Sequence, residues 1–176
     1  MSQNKNLFFN NISSLLKKRK YVLRETIFNP PDNTLFEFII HCTDDLGVDL
    51  SVYSCKFIKF NVRLSEKLVN ICTDFNCSHA ILIYNGSITG FAKKVLLRCV
   101  GLTFEIFSRA ELQFDITSHI LQPFRFTKTT LTENLTNYLP LMKVTDPIAR
   151  YFFFTVGDII EIERRDGTVG YRRITA

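Results

Sequence analysis

The chain has 176 residues, of which 46% are hydrophobic and 22% are charged, a balance that suits one substantial core, or one core with a small satellite domain. This composition argues against a disordered tail, and no apolar run approaches the length needed to cross a membrane. The net charge of +5 permits contact with a polyanion but is too small to identify one.

The first residues and the cysteines both indicate an intracellular protein. The opening MSQNKNLFFNNISS is polar and lacks the apolar stretch of a secretory signal. The five cysteines are odd in number and have no regular spacing. We therefore expect reduced, buried thiols at Cys42, Cys55, Cys72, Cys77 and Cys99.

A helix is expected first, because apolar residues between 7 and 16 recur at helical spacing ahead of the basic run at 17–20. A turn-rich stretch at 29–33 leads to residues 35–40, where the pattern allows both helix and strand. Residues 52–58 and 59–62 have the β-branched and aromatic character of strands.

A second helix is predicted after Ser65, which can cap it, with one apolar face made of Leu68, Val69, Cys72 and Phe75. Residues 80–84 form an apolar run that is typical of a strand covered on both faces, and Asn85-Gly86 ends it.

A β-α-β unit is predicted from residue 80 to residue 107. Its helix has apolar residues at Phe91, Val95 and Cys99, its basic side chains point elsewhere, and residues 102–107 return to strand. Such a unit normally makes a parallel strand pair with a right-handed crossover. Ser108 and Glu111 then fit the capping box of a short helix.

The composition changes between Gln122 and Pro140, where a Thr- and Asn-rich segment has little apolar periodicity. We therefore predict an N-terminal domain at 1–126, a linker at 127–144 and a C-terminal domain at 145–176. The expected fold is α/β in the first domain, with a mixed or parallel sheet flanked by helices, and a small α+β module in the second.

The C-terminal module is predicted to be a short helix followed by a two-stranded ribbon. Asp146 can cap the helix and Pro147 suits its first position, so we expect a helix at 147–153. Residues 158–164 alternate as a half-buried strand, and Asp166-Gly167 favours a type I′ turn that returns the chain through 168–174. Because such a ribbon is marginally stable alone, it must pack on the first domain or on a partner.

These residues carry a family resemblance. The runs TDPIARY at 145–151 and VGDIIEIER at 156–164, followed by Thr168, Gly170, Tyr171 and Arg172, resemble the C-terminal domain of the fifth-subunit family of RNA polymerases. This family includes the subunit shared by nuclear polymerases I, II and III, its archaeal counterpart and the equivalent proteins of large DNA viruses.

The resemblance extends upstream. The run DITSHILQP at 115–123 is similar to the family's Asn-Ile-Thr-x-His-x-Leu-Val-Pro stretch, Ile88-Thr89 is similar to its Ile-Thr helix start, and Leu139-Pro140 occurs at the expected place. Two departures stand out: Gly90-Phe91 replaces the family's Pro-Ser, and Phe153 replaces a common Gly. The closing hairpin is also a few residues shorter, so the chain resembles a divergent, compacted member.

The resemblance implies a non-catalytic subunit of DNA-directed RNA polymerase, with no cofactor, no metal and no small-molecule substrate. The first domain would be the jaw domain beside downstream duplex DNA, and its presence argues against the archaeal form. The C-terminal domain would dock on the largest polymerase subunit, among other subunits. The location would be the nucleus for a cellular eukaryotic protein, and the host cytoplasm or the virion for a viral one.

The candidate site residues follow from these two roles. For DNA proximity we select Thr89 and the cations Lys93, Lys94 and Arg98, with the basic run at 17–20 as a second candidate; an ordinary solvated face is the alternative. For subunit docking, with a plain structural core as the alternative for the apolar members, the candidates are Asp146, Pro147, Ile148, Tyr151, Phe152, Ile160, Ile162, Arg164, Tyr171 and Arg172.

Other functions are weaker alternatives. Cys72, Cys77 and His79 lack a fourth ligand for a metal site, and His119 is interpreted as a structural, hydrogen-bonded residue rather than the partner of a thiol nucleophile. A metal-dependent nuclease core would need a Lys two residues after Glu37, which is absent. A free-standing protein-binding adaptor with the same fold stays open.

Overall fold

The structure is a computed structural model that describes residues 2–30, 35–131 and 138–176. The chain divides into two compact units, Met1–Phe114 and Asp115–Ala176. Within the described ranges, no helix is long and apolar enough to cross a membrane. Part of the turn predicted at 29–33 lies outside these ranges.

The first unit begins with a helix that four strands follow, and its later described helices lie between strands. Of residues 35–40, whose state the sequence left open, 36–40 belong to a strand. Its elements are α1 (Ser2–Lys18), β1 (Val22–Phe28), β2 (Phe36–Thr43), β3 (Asp49–Cys55), β4 (Lys59–Phe60), α2 (Val62–Asp74), β5 (His79–Tyr84), β6 (Ser87–Ile88), α3 (Gly90–Leu97) and β7 (Thr103–Ser108).

The main sheet of this unit is mixed, with the order β1-β2-β3-β5-β7. The pairs β1-β2 and β2-β3 are antiparallel, whereas β3-β5 and β5-β7 are parallel. The predicted β-α-β unit is confirmed, because β5 and β7 are parallel neighbours joined through β6 and α3. The two-residue strands β4 and β6 form a separate parallel pair.

Helix α1 contributes a buried apolar face made of Phe8, Ile12, Leu15 and Leu16. The helix ends in a Schellman motif: Lys20 has φ 65°, its amide donates to the Lys17 carbonyl, and the next amide donates to the Leu16 carbonyl. A lysine therefore occupies a left-handed position that glycine usually takes.

Two predictions about helix faces need correction. Helix α2 is capped by Asn61, whose side chain accepts from the Leu64 amide, while Ser65 lies inside the helix with no exposed surface. Phe75 ends that helix and is 70% exposed, so it is not part of the buried face. In α3 the buried residues are Ala92 and Leu96, one position away from the predicted Phe91 and Val95.

The capping box predicted at Ser108 and Glu111 is present. The Ser108 amide donates to Glu111 Oε2 at 2.6 Å, and the Glu111 amide donates back to Ser108 Oγ at 3.3 Å. The element that it starts is a single 3₁₀ turn, Ala110–Leu112, rather than an α-helix.

The second unit is a four-stranded sheet with one described α-helix. Its elements are a 3₁₀ turn (Ile116–Ser118), β8 (Arg125–Thr129), β9 (Leu141–Lys143), α4 (Pro147–Phe152), β10 (Ile159–Glu163) and β11 (Val169–Thr175). The strand order is β8-β10-β11-β9, with β9 parallel to β11 and the other pairs antiparallel.

This arrangement changes the predicted division of the chain. Residues 127–144 were predicted to be a linker, yet β8 pairs with β10 over five positions and β9 pairs with β11 over three. The ribbon of β10 and β11 is therefore stabilised from both edges by this segment, of which residues 132–137 lie outside the described ranges. The unit begins at Asp115, upstream of the predicted boundary at 126.

The turns of the second unit also refine the prediction. The hairpin of β10 and β11 has a positive φ at Gly167 but not at Asp166, and the Arg164 amide pairs with the Thr168 carbonyl at 2.9 Å. This is a three-residue loop closed by a left-handed glycine, not the predicted type I′ turn. Helix α4 ends at Phe153 with φ 58° and ψ 42°, the conformation that explains why glycine is favoured there.

Candidate functional site

The predicted DNA-proximal residues lie on α3 of the first unit. Thr89 caps the helix, and its hydroxyl accepts a hydrogen bond from the Ala92 amide at 3.3 Å. Burial of Ala92 and Leu96 fixes which face of the helix is covered. Thr89 therefore starts the helix, and its proximity to DNA stays a prediction.

Lys93, Lys94 and Arg98 project from the exposed part of the same helix. Lys94 Nζ lies 5.7 Å from the ring centroid of Phe91, which is itself 73% exposed. Within the part of the chain that the structure describes, none of the three cations forms an ion pair. The helix thus presents three cations and an exposed aromatic ring on two turns.

The basic run at 17–20 contains three exposed cations and one whose side chain is buried. Lys17, Lys18 and Lys20 are exposed, but the guanidinium of Arg19 binds the carboxylate of Glu105 with two hydrogen bonds of 2.6 and 2.7 Å. The Arg19 side chain is only 3% exposed. The interpretation of Arg19 as a phosphate contact is therefore wrong, because its charge is already matched inside the fold.

Glu105 also binds a histidine, which completes a buried cluster. His79 Nε2 lies 2.9 Å from Glu105 Oε1, and both side chains are less than a tenth exposed. Burial raises the pKa of Glu105, but the hydrogen bonds and charges of His79 and Arg19 outweigh it and hold the pKa below its usual value. The cluster joins the end of α1 to β5 and β7, so its role is to hold these elements together.

In the second unit, several docking candidates are parts of the module's own structure. Asp146 Oδ1 accepts from the Ile148 amide at 2.8 Å, and Pro147 occupies the first turn of α4, as predicted. Ile148 and Tyr151 are buried at 5% and 4% exposure. These residues build α4, and their part in docking stays a prediction.

The docking candidates on β10 are also part of the module's own core. Ile160 and Ile162 belong to the core cluster of this unit, against which Phe126, Met142 and Phe152 pack. Ile160 has no exposed surface and Ile162 has 6%. Both isoleucines therefore fit the alternative interpretation, in which they are ordinary core residues.

The remaining candidates lie on and beside the closing hairpin, where Arg164 and Arg172 are exposed and Tyr171 is half-buried. Arg164 Nη1 donates to Thr168 Oγ1 at 3.3 Å, and the Tyr171 hydroxyl donates to Glu161 Oε2 at 3.1 Å. Arg172 Nη1 donates to the Leu141 carbonyl at 3.3 Å and remains exposed.

Arg172 lines a groove of about 490 Å³ in the second unit, a feature that sequence reasoning missed. Its apolar wall includes Leu141, 53% exposed, and the half-buried Met142. The lining contains both polar and apolar side chains. Its lining residues are Gln122, Pro123, Phe126, Leu141, Met142, Lys143, Thr145, Asp146, Ile148, Ile162 and Arg172.

The run at 115–123 folds as a chain of local hydrogen bonds. Asp115 Oδ1 accepts from the Thr117 amide and hydroxyl, and His119 Nδ1 accepts from the Leu121 amide at 3.2 Å. His119 is thus hydrogen-bonded, as predicted, although it is exposed. Ile120 and Leu121 beside it are 74% and 84% exposed.

No metal site is built from the residues that the structure describes: no three side chains of His, Cys, Asp or Glu come together to hold an ion. Of the residues weighed for such a site, His79 is engaged by Glu105. Glu37, weighed for a nuclease, pairs with Arg109.

Comparisons with known proteins match both units of the chain. A family model described as RNA polymerase Rpb5, C-terminal domain, matches residues 114–174, which is nearly the whole second unit. The shared subunit rpabc1 of DNA-directed RNA polymerases I, II and III from Dictyostelium discoideum is 29% identical over 180 residues, covering 90% of this chain and 89% of the relative.

Two further relatives extend the range of organisms. A protein of Invertebrate iridescent virus 6, named as the DNA-directed RNA polymerase subunit 454R, is 32% identical over 137 residues, covering 66% of this chain and 74% of the viral protein. Subunit RPABC1 of polymerases I, II and III from Caenorhabditis elegans is 27% identical over 162 residues, covering 87% and 76%.

The fold and the matches define a two-part mixed α/β protein of the polymerase-subunit class. The chain belongs to the Rpb5 family of RNA polymerase subunits.

Proposed function

We propose that the protein is a non-catalytic subunit of a multisubunit DNA-directed RNA polymerase, anchored by its second unit on the largest subunit while its first unit serves as a jaw domain beside downstream DNA. The match of residues 114–174 to the family's C-terminal domain carries this proposal. The relatives that cover most of the chain support extending it to the first unit.

The groove beside Arg172 is the docking surface that we favour. The buried Ile148 and Ile162 are part of its lining. Arg172, Leu141 and Lys143 add two charges and an apolar side chain that are exposed. Docking sites between proteins commonly combine an apolar centre with an arginine, because arginine contributes both packing and hydrogen bonds.

The first unit would face the downstream duplex through α3. Three exposed cations on two helical turns, without ion pairs among the described residues, suit contacts with phosphates. Such contacts position a duplex and need no catalytic group. We infer a location in the nucleus for a cellular eukaryotic protein, and in the host cytoplasm or virion for a viral one.

The test is co-purification of the tagged full chain from cells that contain the matching polymerase. We expect the largest polymerase subunits in equal amounts with the wild-type chain. Arg172→Glu should reduce that recovery at least about tenfold, because a reversed charge at an interface costs several kcal/mol and about 1.4 kcal/mol already corresponds to a factor of ten. Arg165→Glu is the matched control, since it makes the same change at an exposed hairpin position outside the groove.

Circular dichroism of both variants verifies that the module still folds. A wild-type chain that recovers other proteins but no polymerase subunits would identify a free-standing adaptor and refute the proposal. Equal recovery with Arg172→Glu and Arg165→Glu would remove the groove from the interface while leaving the subunit assignment intact.

A further inference from the structure

The C-terminal end of α2 brings two cysteines together. Asn76 has φ 50°, its amide donates to the Thr73 carbonyl at 3.0 Å, and the Cys77 amide donates to the Cys72 carbonyl at 2.8 Å. These two bonds form a Schellman motif, in which the side chain of the third-last helical residue contacts that of the second residue after the cap. Here those two residues are Cys72 and Cys77.

The two thiols interact directly and unequally. A hydrogen bond from Cys72 lowers the pKa of Cys77 to about 6 against the effect of burial, with further help from Ser51 and backbone amides. The same hydrogen bond, with burial, raises the pKa of Cys72. In the structure the Cys77 thiol donates a hydrogen bond to the His79 carbonyl at 3.0 Å. Its lowered pKa means that Cys77 gives up its proton more readily than Cys72, which is the order of an attacking and a resolving thiol.

Cys77 is buried, with 9% exposure, yet it borders a groove. It lines a groove of about 560 Å³ in the first unit, together with Ser51, Tyr53, Ile71 and Phe75. Cys72 is fully buried behind it and is not part of the lining. Of these two thiols only Cys77 lines the groove, so a small oxidant that enters it meets Cys77 before Cys72.

Cys42 and Cys55 are expected to react with an oxidant more slowly than Cys77. Burial raises the pKa of Cys42 to about 12, although that residue lines the same groove. Burial also raises the pKa of Cys55. A thiol that stays protonated is a poor nucleophile, so neither residue should compete with Cys77 for an oxidant.

We propose that Cys72 and Cys77 form a reversible dithiol–disulfide pair that a peroxide oxidises through the groove. The Cys77 sulfur attacks one oxygen of hydrogen peroxide, the O–O bond breaks, and hydroxide leaves and takes up a proton as water. The Cys72 sulfur then attacks the resulting sulfenic acid, forming the S–S bond while the hydroxyl leaves with the Cys72 proton as a second water. Two thiols are oxidised by two electrons and one peroxide is reduced to two waters.

The sequence makes this reaction easy to observe. Trypsin cuts after Lys67 and Lys93 with no site between them, so peptide 68–93 contains Cys72 and Cys77 and no other cysteine. The full chain is treated with an equal amount of hydrogen peroxide, alkylated, digested without reductant and analysed by mass spectrometry. We expect this peptide to lose two hydrogens and escape alkylation before Cys42, Cys55 or Cys99 changes, and dithiothreitol to restore it.

Single substitutions distinguish the attacking thiol, Cys77, from the resolving thiol, Cys72. In Cys77→Ala, oxidation of Cys72 should be at least about tenfold slower than the wild-type reaction, because the remaining thiol is buried and protonated. In Cys72→Ala, Cys77 should stop at a sulfenic acid that a cyclic 1,3-diketone traps. Cys55→Ala is the control and should leave disulfide formation unchanged.

Three results would refute the proposal that Cys72 and Cys77 form a disulfide pair. The wild-type peptide could remain reduced while other cysteines oxidise, or Cys77 could proceed to the sulfinic acid without forming a disulfide. Equally, Cys72 in Cys77→Ala could react as fast as the wild-type pair. The measurement on the wild-type chain stands by itself if a variant fails to fold.

Discussion

Lys20 and Phe153 adopt a left-handed backbone conformation that residues other than glycine rarely adopt. Lys20 ends α1 with φ 65°, and Phe153 ends α4 with φ 58°. A side chain costs about 1–2 kcal/mol in this conformation relative to the right-handed one, and glycine avoids that cost. The fold therefore keeps local strain at these positions, whereas the end of α2 has an asparagine, Asn76, which tolerates the same conformation better.

The exposed Lys20 allows this strain to be measured. Lys20→Gly should raise the free energy of unfolding by about 0.5–1 kcal/mol, because glycine adopts the left-handed conformation without a steric cost. Lys17→Gly, three residues earlier and inside the helix, should lower it by a similar amount. Urea unfolding followed by circular dichroism gives both values, and the same sign for the two variants would contradict the assigned helix end.

At the scale of elements, the buried cluster of Arg19, His79 and Glu105 joins a helix end to two neighbouring strands. The Arg19 and Glu105 side chains are 3% and 8% exposed, so little solvent screens their interaction. Removing one partner of such a pair leaves the other charge buried without compensation, which is more costly than the pair is worth.

Glu105→Gln should therefore destabilise the chain by about 3–5 kcal/mol at neutral pH. The pKa of Glu105 is lowered in the folded state, so its contribution is present above the unfolded value of about 4.3 and is lost as pH falls through the folded value. The difference between wild type and variant should shrink below about pH 4.3. Urea unfolding at several pH values measures it.

The control for this prediction is Glu163→Gln. Glu163 pairs with Arg125 at 3.8 Å, and these side chains are 38% and 63% exposed, so the same substitution should cost less than about 1 kcal/mol. A pH-independent difference for Glu105→Gln would show that packing rather than charge holds the cluster together.

Elements with strong local signals could be predicted from the sequence, and those that depend on distant partners could not. Asp146-Pro147 and the Ser108–Glu111 pair act within a few residues, and both predictions are confirmed. Arg19 and Glu105 are 86 positions apart, so only the fold shows that they meet. A carboxylate within the apolar run at 102–107 was the available signal, since a buried charge requires a partner.

At the scale of the whole molecule, the limits of the two units were the harder prediction. Strand β8 has little buried surface of its own, and its pairing with β10 is what stabilises it as a strand. Sequence periodicity does not report such pairing, so the pattern of this segment indicated a linker. The family relationship, by contrast, was readable, because its motifs at 115–123 and 145–172 occur in order along one chain.

The last prediction concerns DNA binding by the assembled polymerase. Changing Lys93, Lys94 and Arg98 together to Gln should weaken binding of the downstream duplex and make it less dependent on salt, by a slope of about 0.9 for each phosphate that is no longer neutralised. The control changes Lys56, Arg63 and Lys67, three exposed cations outside α3, to Gln and removes the same charge. The affinity of reconstituted polymerase for a labelled duplex is measured over a range of salt concentrations. Because both variants lower the net charge equally, a smaller slope for the α3 variant alone identifies direct phosphate binding, and equal slopes would assign these side chains to an ordinary solvated face.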